Sequence, residues 1–463
     1  MDWIAIEFSP LNAWYPRITV HSLVVVLSVL VYVLTTRVER ERRPPSIAIA
    51  WILGMIAVPY FALPTYLFFG RRKLPRKVLG WSGVRSECEH WAEDLIASFG
   101  LAPSAPSAIR LHQDGKESAS ALFAVMVSST RRLDICTYIL GNDAFGRQAM
   151  QRMMERARAG VQVRLLIDGV GALQLPRWCF RELNGAGVET VIFSPLLARK
   201  TQGPRNLRNH RKMVIADAAR LWAGGRNIAA EYFVGLNGAM PWRDLSFDLE
   251  GKVAAAAAAQ FEADWVAAGG RPAPLPSVQP QPSPAGGRAQ FLPSGPDQAE
   301  DTVHALLIDA CYHVRDRILA VTPYFVPDVS LETAMRLAAH RGVKIDLCVP
   351  AVSNHRLADF ARNRALRALS AAGVRIHLLP YMIHAKAVVY DESLALSGSV
   401  NLDSRSLLLN YECAVVFYGE REIDWLAAWI DALIPDARPF DGRTPGLWRD
   451  IGEGLLLTVA YQL

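Results

Sequence analysis

Apolar positions are distributed very unevenly along this chain. Residues 18–36 carry no charge and have about the length a helix needs to cross a bilayer core of roughly 30 Å. Residues 46–70 form a second uncharged stretch, interrupted by Pro59 and Pro64, which predicts a kink. The pattern over residues 1–78 is therefore that of a membrane region holding a hairpin of two hydrophobic helices. Beyond it, short β-branched runs alternate with segments of helical spacing that end in Gly, and the order recurs. The run from Arg132 to Tyr138 matches that from Arg317 to Tyr324, Gly160 to Asp168 matches Gly342 to Pro350, and the run opening at Gly187 matches the one opening at Gly373. Strand, helix, strand, helix, strand in each half predicts two α/β units with mixed, largely parallel sheets. The prolines and glycines of residues 271–288 sustain neither element, so they read as a linker between a first domain over 79–270 and a second over 289–463.

Each half closes on the same spacing of chemically competent residues. His-x-Lys-x4-Asp-x6-Gly-x-x-Asn occurs as His210, Lys212, Asp217, Gly224, Asn227 and again as His384, Lys386, Asp391, Gly398, Asn401. On a strand, the His and Lys of each set project from one face, because they lie two residues apart. The glycines are expected to let a phosphate approach the backbone. Asn227 and Asn401, with Ser399, are expected to donate hydrogen bonds to its oxygens. Asp217 and Asp391 complete the catalytic motif, yet strand parity turns them away from the His-Lys face. They are expected to cap the turn that follows by accepting backbone amides.

At 463 residues the chain has room for two domains, and its net charge of +6 with a pI near 9.0 suits an anionic partner. Charge does not separate lipid from nucleic acid; the apolar hairpin does, since a nuclease has no use for bilayer anchoring. Arg37, Arg40, Arg42 and Arg43 lie between the apolar stretches, and Arg71, Arg72, Lys73, Arg76 and Lys77 follow the second. The positive-inside rule divides these narrowly. The favoured arrangement puts the catalytic region in the cytoplasm, with a re-entrant hairpin as the competitor. The six cysteines are scattered without Cys-x-x-Cys spacing and give no zinc site.

With the phrases around both motifs, including residues 224–233, 242–244, 261–265, 322–328 and 398–412, the chain resembles a bacterial cardiolipin synthase of the phospholipase D superfamily. The resemblance covers nearly the whole length. It implies two pseudo-symmetric phospholipase D-like α/β/α domains behind the hairpin, a place in the bacterial inner membrane, and phospholipid substrates rather than nucleic acid. Phosphatidylglycerol is the expected substrate, with phosphatidylethanolamine as an alternative donor.

If both motifs face one cleft, one histidine attacks phosphorus and the other protonates the departing alkoxide, giving a covalent phosphohistidine. The lysines supply the charge stabilisation that other phosphoryl-transfer enzymes take from a metal, so neither a metal nor another cofactor is expected. The resemblance makes His210 the nucleophile and His384 the acid. It also implies a carboxylate that orients each imidazole from a strand after the motif: Asp244 in the first half, with Asp248 as runner-up, and Glu412 in the second.

Overall fold

The computed structural model describes residues 9–39, 45–70, 90–195, 206–276 and 287–457. The inter-helix loop at 40–44, the basic segment at 71–89, the cation-rich approach at 196–205 and most of the linker lie outside the described residues. The chain forms two compact units, one built mainly on residues 1–77 and the other on the remainder.

Among the described residues the N-terminal unit is three helices: α1 (Ser9–Glu39), α2 (Pro45–Ala57) and α3 (Pro59–Phe69). The second apolar stretch thus does not make the single helix expected over 46–70. Pro59 lacks an amide hydrogen and forces Val58 out of helical geometry (φ −140°, ψ 61°), which ends α2, whereas Pro64 is accommodated inside α3. At 13 and 11 residues the two pieces reach only about 20 Å and 16 Å. No helix among the described residues is long and apolar enough to cross a membrane. The unit is nevertheless apolar outside as well as inside, where Tyr32, Met55, Ala62 and Tyr66 form its core. Ser28 and Tyr66 are buried, Tyr66 shares a 2.7 Å hydrogen bond with Thr35, and Leu23, Val26 and Phe61 stand 64–73% exposed.

The larger unit is built on a fifteen-stranded sheet, beside which two further strands form a separate parallel pair. The unit's strands are β1 (Ala105–His112), β2 (Arg132–Thr137), β3 (Gln162–Asp168), β4 (Glu189–Phe193), β5 (Met213–Ala216), β6 (Arg220–Gly224), β7 (Ser246–Glu250), β8 (Gly287–Ser294) and β9 (Arg317–Val321). The series continues with β10 (Phe325–Val326), β11 (Lys344–Pro350), β12 (Arg375–Leu379), β13 (Ala387–Tyr390), β14 (Leu394–Gly398), β15 (Leu402–Asp403), β16 (Glu412–Phe417) and β17 (Arg438–Pro439). From one edge the order is β4-β3-β2-β5-β6-β7-β1, then β8-β16-β14-β13-β9-β11-β12-β17; β10 and β15 form the separate pair. The second series repeats the first, reflected about the seam where β1 and β8 pair antiparallel (Ala105 with Ala289, Ser107 with Gly287). Within this sheet, among the described residues, β17 alone has no counterpart. The sheet is mixed: the outer triplets β2-β3-β4 and β9-β11-β12 are parallel and the middle is antiparallel. Crossover helices in the parallel triplets are followed by Gly160, Gly187, Gly342 and Gly373, each with φ between 87° and 97°, as a left-handed helix stop requires.

The two halves keep separate cores, but they do not divide at the linker alone. Helix α4 (Trp91–Ser98), assigned by sequence to the first domain, buries Ala92 and Ile96 against Leu292, Val303 and Leu307 of the second-half core. The first half closes over Leu133, Val163, Val214 and Trp222.

Candidate active site

Both motifs enter the sheet from the same kind of segment. His210 and Lys212 lie on extended chain just before β5, and His384 and Lys386 just before β13, so the strands begin one residue after the lysines. Each segment is anchored to the other half. The His210 amide donates to the Tyr411 carbonyl (2.8 Å), and the His384 amide donates to the Arg243 carbonyl (2.7 Å). The residues that follow those two carbonyls are Glu412 and Asp244.

This backbone pairing keeps Asp244 and Glu412 as the carboxylates on the imidazoles but exchanges them between the halves. Nδ1 of His210 lies 2.9 Å from Glu412, and Nδ1 of His384 lies 2.6 Å from Asp244. Each half thus supplies the carboxylate for the other half's histidine. Asp248 sits elsewhere, against His112. A carboxylate on Nδ1 fixes the tautomer and leaves Nε2 for chemistry.

The carboxylates are themselves held. Glu412 is fully buried and accepts from the hydroxyls of Ser399 (2.5 Å) and Ser406 (2.5 Å) and from the Asn410 amide (3.4 Å). Ser399, expected on phosphate, spends its one proton on this carboxylate. The equivalent position in the first half is Gly225, where a Cβ would stand 2.2 Å from Oδ1 of Asp244. The shorter carboxylate leaves no room for a serine there, which explains the Gly/Ser difference between the copies. The motif glycines answer to packing as well: a Cβ on Gly224 would meet the Leu245 carbonyl at 2.4 Å and one on Gly398 the Cys413 carbonyl at 2.3 Å. These contacts come from neighbouring strands, so close packing already requires glycine at both places.

Two more expectations need correction. Asn227 accepts from the Ile139 amide (3.2 Å) and donates to the Tyr232 hydroxyl (2.8 Å), so it ties loops together rather than standing open to phosphate. Asn401 keeps a buried Oδ1 without a hydrogen-bond partner among the described residues. Asp217 and Asp391 lie at the far ends of β5 and β13 from the histidines, outside the site. They do not cap their own turns either. Asp217 accepts from the amides of Thr130, Arg131 and Arg132 (2.7–2.8 Å) and Asp391 from those of Arg315, Asp316 and Arg317 (2.7–3.0 Å), which fastens the loops that open β2 and β9. Burial raises the Asp217 pKa, but these amides outweigh it and hold the carboxyl below its usual range. Its stabilisation is therefore complete at neutral pH and lost as pH falls through the folded value. Replacement by Asn should cost about 1–2 kcal/mol and flatten the acid side of the stability curve, with kcat of the folded fraction unchanged; urea titrations from pH 3 to 7 check this.

Several contributors escaped the sequence reading. Arg211, between the motif His and Lys, is fully buried and pairs with Asp264 and Asp297 while donating to the carbonyls of Glu412 and Ser294, so it braces one half on the other. Tyr138 packs edge-on to His210 at 5.1 Å, whereas Tyr232 (5.0 Å) and Trp242 (5.7 Å) pack on His384. Tyr138 had one signal: it sits in a phrase repeated at Thr322 to Tyr324.

The charges converge. Nζ of Lys386 is 2.9 and 3.1 Å from the ring nitrogens of His384, and Nζ of Lys212 donates to the His210 carbonyl (2.7 Å). Burial pushes Lys212 down to about 8 against the pull of Glu412, and Lys386 down to about 7 against Asp244. Burial and then Lys386 push His384 down to about 3, with Asp244 opposing. Burial also lowers His210, opposed by Glu412 and reinforced by Lys212. Four basic groups crowded this way lower one another's proton affinity, and an anionic phosphate among them reverses the sign of the field. The lysines must be charged to hold phosphate. Affinity for an uncleaved soluble diester should accordingly fall as pH rises through about 7 to 8, which equilibrium binding across that range checks. Affinity that holds until the ordinary lysine value of about 10.4 contradicts this.

Comparison with known proteins places this geometry. The family model for the cardiolipin synthase, PLD-like domain matches residues 122–265 and 307–434, and the model for the phospholipase D-nuclease N-terminal region matches residues 24–71. Cardiolipin synthase A of Pseudomonas aeruginosa is 30% identical over 445 residues, 90% of each chain. That of Pseudomonas putida is 30% identical over 395 residues, 80% of this chain and 82% of its own. Among solved structures, phosphatidylserine synthase from Haemophilus influenzae shares the fold at 13% identity, with a TM-score of 0.61 over 80% of this chain and 100% of its own. The chain belongs to the cardiolipin synthase family of the phospholipase D superfamily.

Proposed function

We propose that the protein is a membrane-associated cardiolipin synthase that moves a phosphatidyl group from one phosphatidylglycerol to the headgroup hydroxyl of another. The observation that carries this is the pair of His-Lys sets in one buried basic site, each imidazole held through Nδ1 by the opposite half's carboxylate. In the first step Nε2 of His210 attacks phosphorus, the bond to the glycerol headgroup breaks, and His384 donates its proton to the departing alkoxide. Lys212 and Lys386 balance the charge on the phosphoryl oxygens. In the second step His384 takes the proton of an incoming phosphatidylglycerol hydroxyl as that oxygen attacks phosphorus. The P–N bond breaks and cardiolipin leaves. Asp244 and Glu412 stay ionised; burial raises both carboxyls, but the facing histidines and nearby lysines hold them below their usual range.

The nucleophile assignment follows the more accessible ring, since the His210 side chain is 13% exposed and that of His384 5%. The apolar outer surface of the N-terminal unit supports anchoring in a bilayer, which for this family reading is the bacterial inner membrane with the catalytic unit on the cytoplasmic side. Its broken second stretch favours a re-entrant course over two full spans. Phosphatidylethanolamine is an alternative donor that uses the same residues. The test is to incubate purified protein with phosphatidylglycerol in mixed micelles containing excess chelator and to identify the products. Cardiolipin and glycerol in equal amounts support the reading; phosphatidic acid alone makes the protein a phospholipase.

A further inference from the structure

The segment from Tyr232 to Trp242 connects His384 to a group of exposed apolar side chains. The Trp242 amide donates to the Glu231 carbonyl (2.8 Å) and closes the base of a loop, and the rings at its two ends are the two that pack on His384. Between them the backbone turns through Gly235, Asn237 and Gly238 at φ of 86°, 53° and 80°, while the Val234 and Gly235 amides both donate to the Ala230 carbonyl. A Cβ on Gly235 would stand 2.1 Å from the Ala239 carbonyl, so this is a tightly closed shape. Its tip presents Val234 (63% exposed), Leu236 (40%) and Met240 (85%). Turns that face water carry polar residues for good reason; three large apolar side chains on a loop whose two ends pack on His384 mark a surface that something apolar covers. At the matching place in the second half, Asn401 is followed by a short helix, Ser404–Leu408, with Leu407 and Leu408 buried.

We propose that this loop is the contact between the catalytic site and the acyl region of a phospholipid bilayer: Val234, Leu236 and Met240 enter the lipid while the phosphate reaches His384 and the lysines. The inference rests on the phosphatidyltransferase reading above. A phosphatidyl group carries its acyl chains only a few bonds from the phosphorus, so a lipid held at His384 must lay its apolar part against whatever flanks that histidine. The flank is this loop.

The experiment compares the full-length protein with Met240→Asp, with Val234→Asp combined with Met240→Asp, and with Met240→Leu. Three substrates are used: long-chain phosphatidylglycerol in vesicles, dihexanoyl phosphatidylglycerol as dispersed monomers, and a soluble p-nitrophenyl phosphodiester. The Asp variants should be slower on vesicles by about tenfold or more, the loss expected when a large apolar side chain no longer enters lipid. Their rates on both dispersed substrates should match the parent, and Met240→Leu should match it on all three. Unchanged rates on vesicles overturn the proposal. An equal loss on all three substrates also overturns it, because the loop then only shapes His384. A parent protein that cleaves the soluble diester but no phospholipid in either form removes the phosphatidyltransferase reading, and this inference falls with it.

Discussion

His384→Ala should still become covalently phosphorylated by a diester with a p-nitrophenyl leaving group, and His210→Ala should not be phosphorylated by any substrate. The first variant keeps the nucleophile and loses only the proton donor, which a leaving group of low basicity does not need. With phosphatidylglycerol, whose departing alkoxide is strongly basic, the same variant should lose about three to four orders of magnitude in kcat. The second variant lacks the atom that bonds to phosphorus. Labelled substrate, an acid-free quench and peptide mapping read the result. Label on His384 in the His210→Ala protein would reverse the two roles, and the absence of label in both under burst conditions would exclude a phosphohistidine.

The exchanged carboxylates give the second large effect, and it separates the observed pairing from the simpler one within each half. Because Glu412 holds His210, Glu412→Gln should behave as a damaged nucleophile, with phosphorylation slowed by about three to four orders of magnitude even with the p-nitrophenyl substrate. Because Asp244 holds His384, Asp244→Asn should behave as a damaged acid: severely impaired on phosphatidylglycerol and close to the parent in burst rate on the activated diester. Pairing within each half requires the opposite pattern. Ser399→Ala should shift the acid limb of kcat/KM while leaving KM for the soluble diester in place, since that hydroxyl spends its proton on Glu412 (2.5 Å).

These results bear on how much of the molecule can be read from its residues. The repeated spacing from His210 to Asn227 and from His384 to Asn401, together with β-branched runs such as Val163 to Ile167 and Ile345 to Val349, was enough for an α/β repeat with a two-histidine site. Such signals are local, and local pattern is what sequence periodicity reports. The partners of the histidines are not local. Glu412 is 202 residues from His210 and Asp244 is 140 from His384, and no spacing rule connects positions that meet only because β1 and β8 join the halves into one sheet. The same distance hid the second-half home of Ala92 and Ile96. Ser399 and Asn227 were misread for a different reason: a hydroxyl or amide near a phosphate site looks like a phosphate donor until its hydrogen-bond partners are known. Pro59 was legible as an interruption, but that it ends α2 outright while Pro64 leaves α3 intact depends on how each is packed.

The most direct test of the account follows the covalent intermediate to product. Phosphatidylglycerol labelled in its phosphatidyl group is mixed with an equimolar amount of enzyme, quenched into excess unlabelled phosphatidylglycerol after a single burst, and the label is followed. The account predicts label first on His210 and then, at the rate of steady-state turnover, in cardiolipin. Label that passes from His210 to phosphatidic acid despite excess acceptor, or that reaches cardiolipin without ever residing on a histidine, would contradict it.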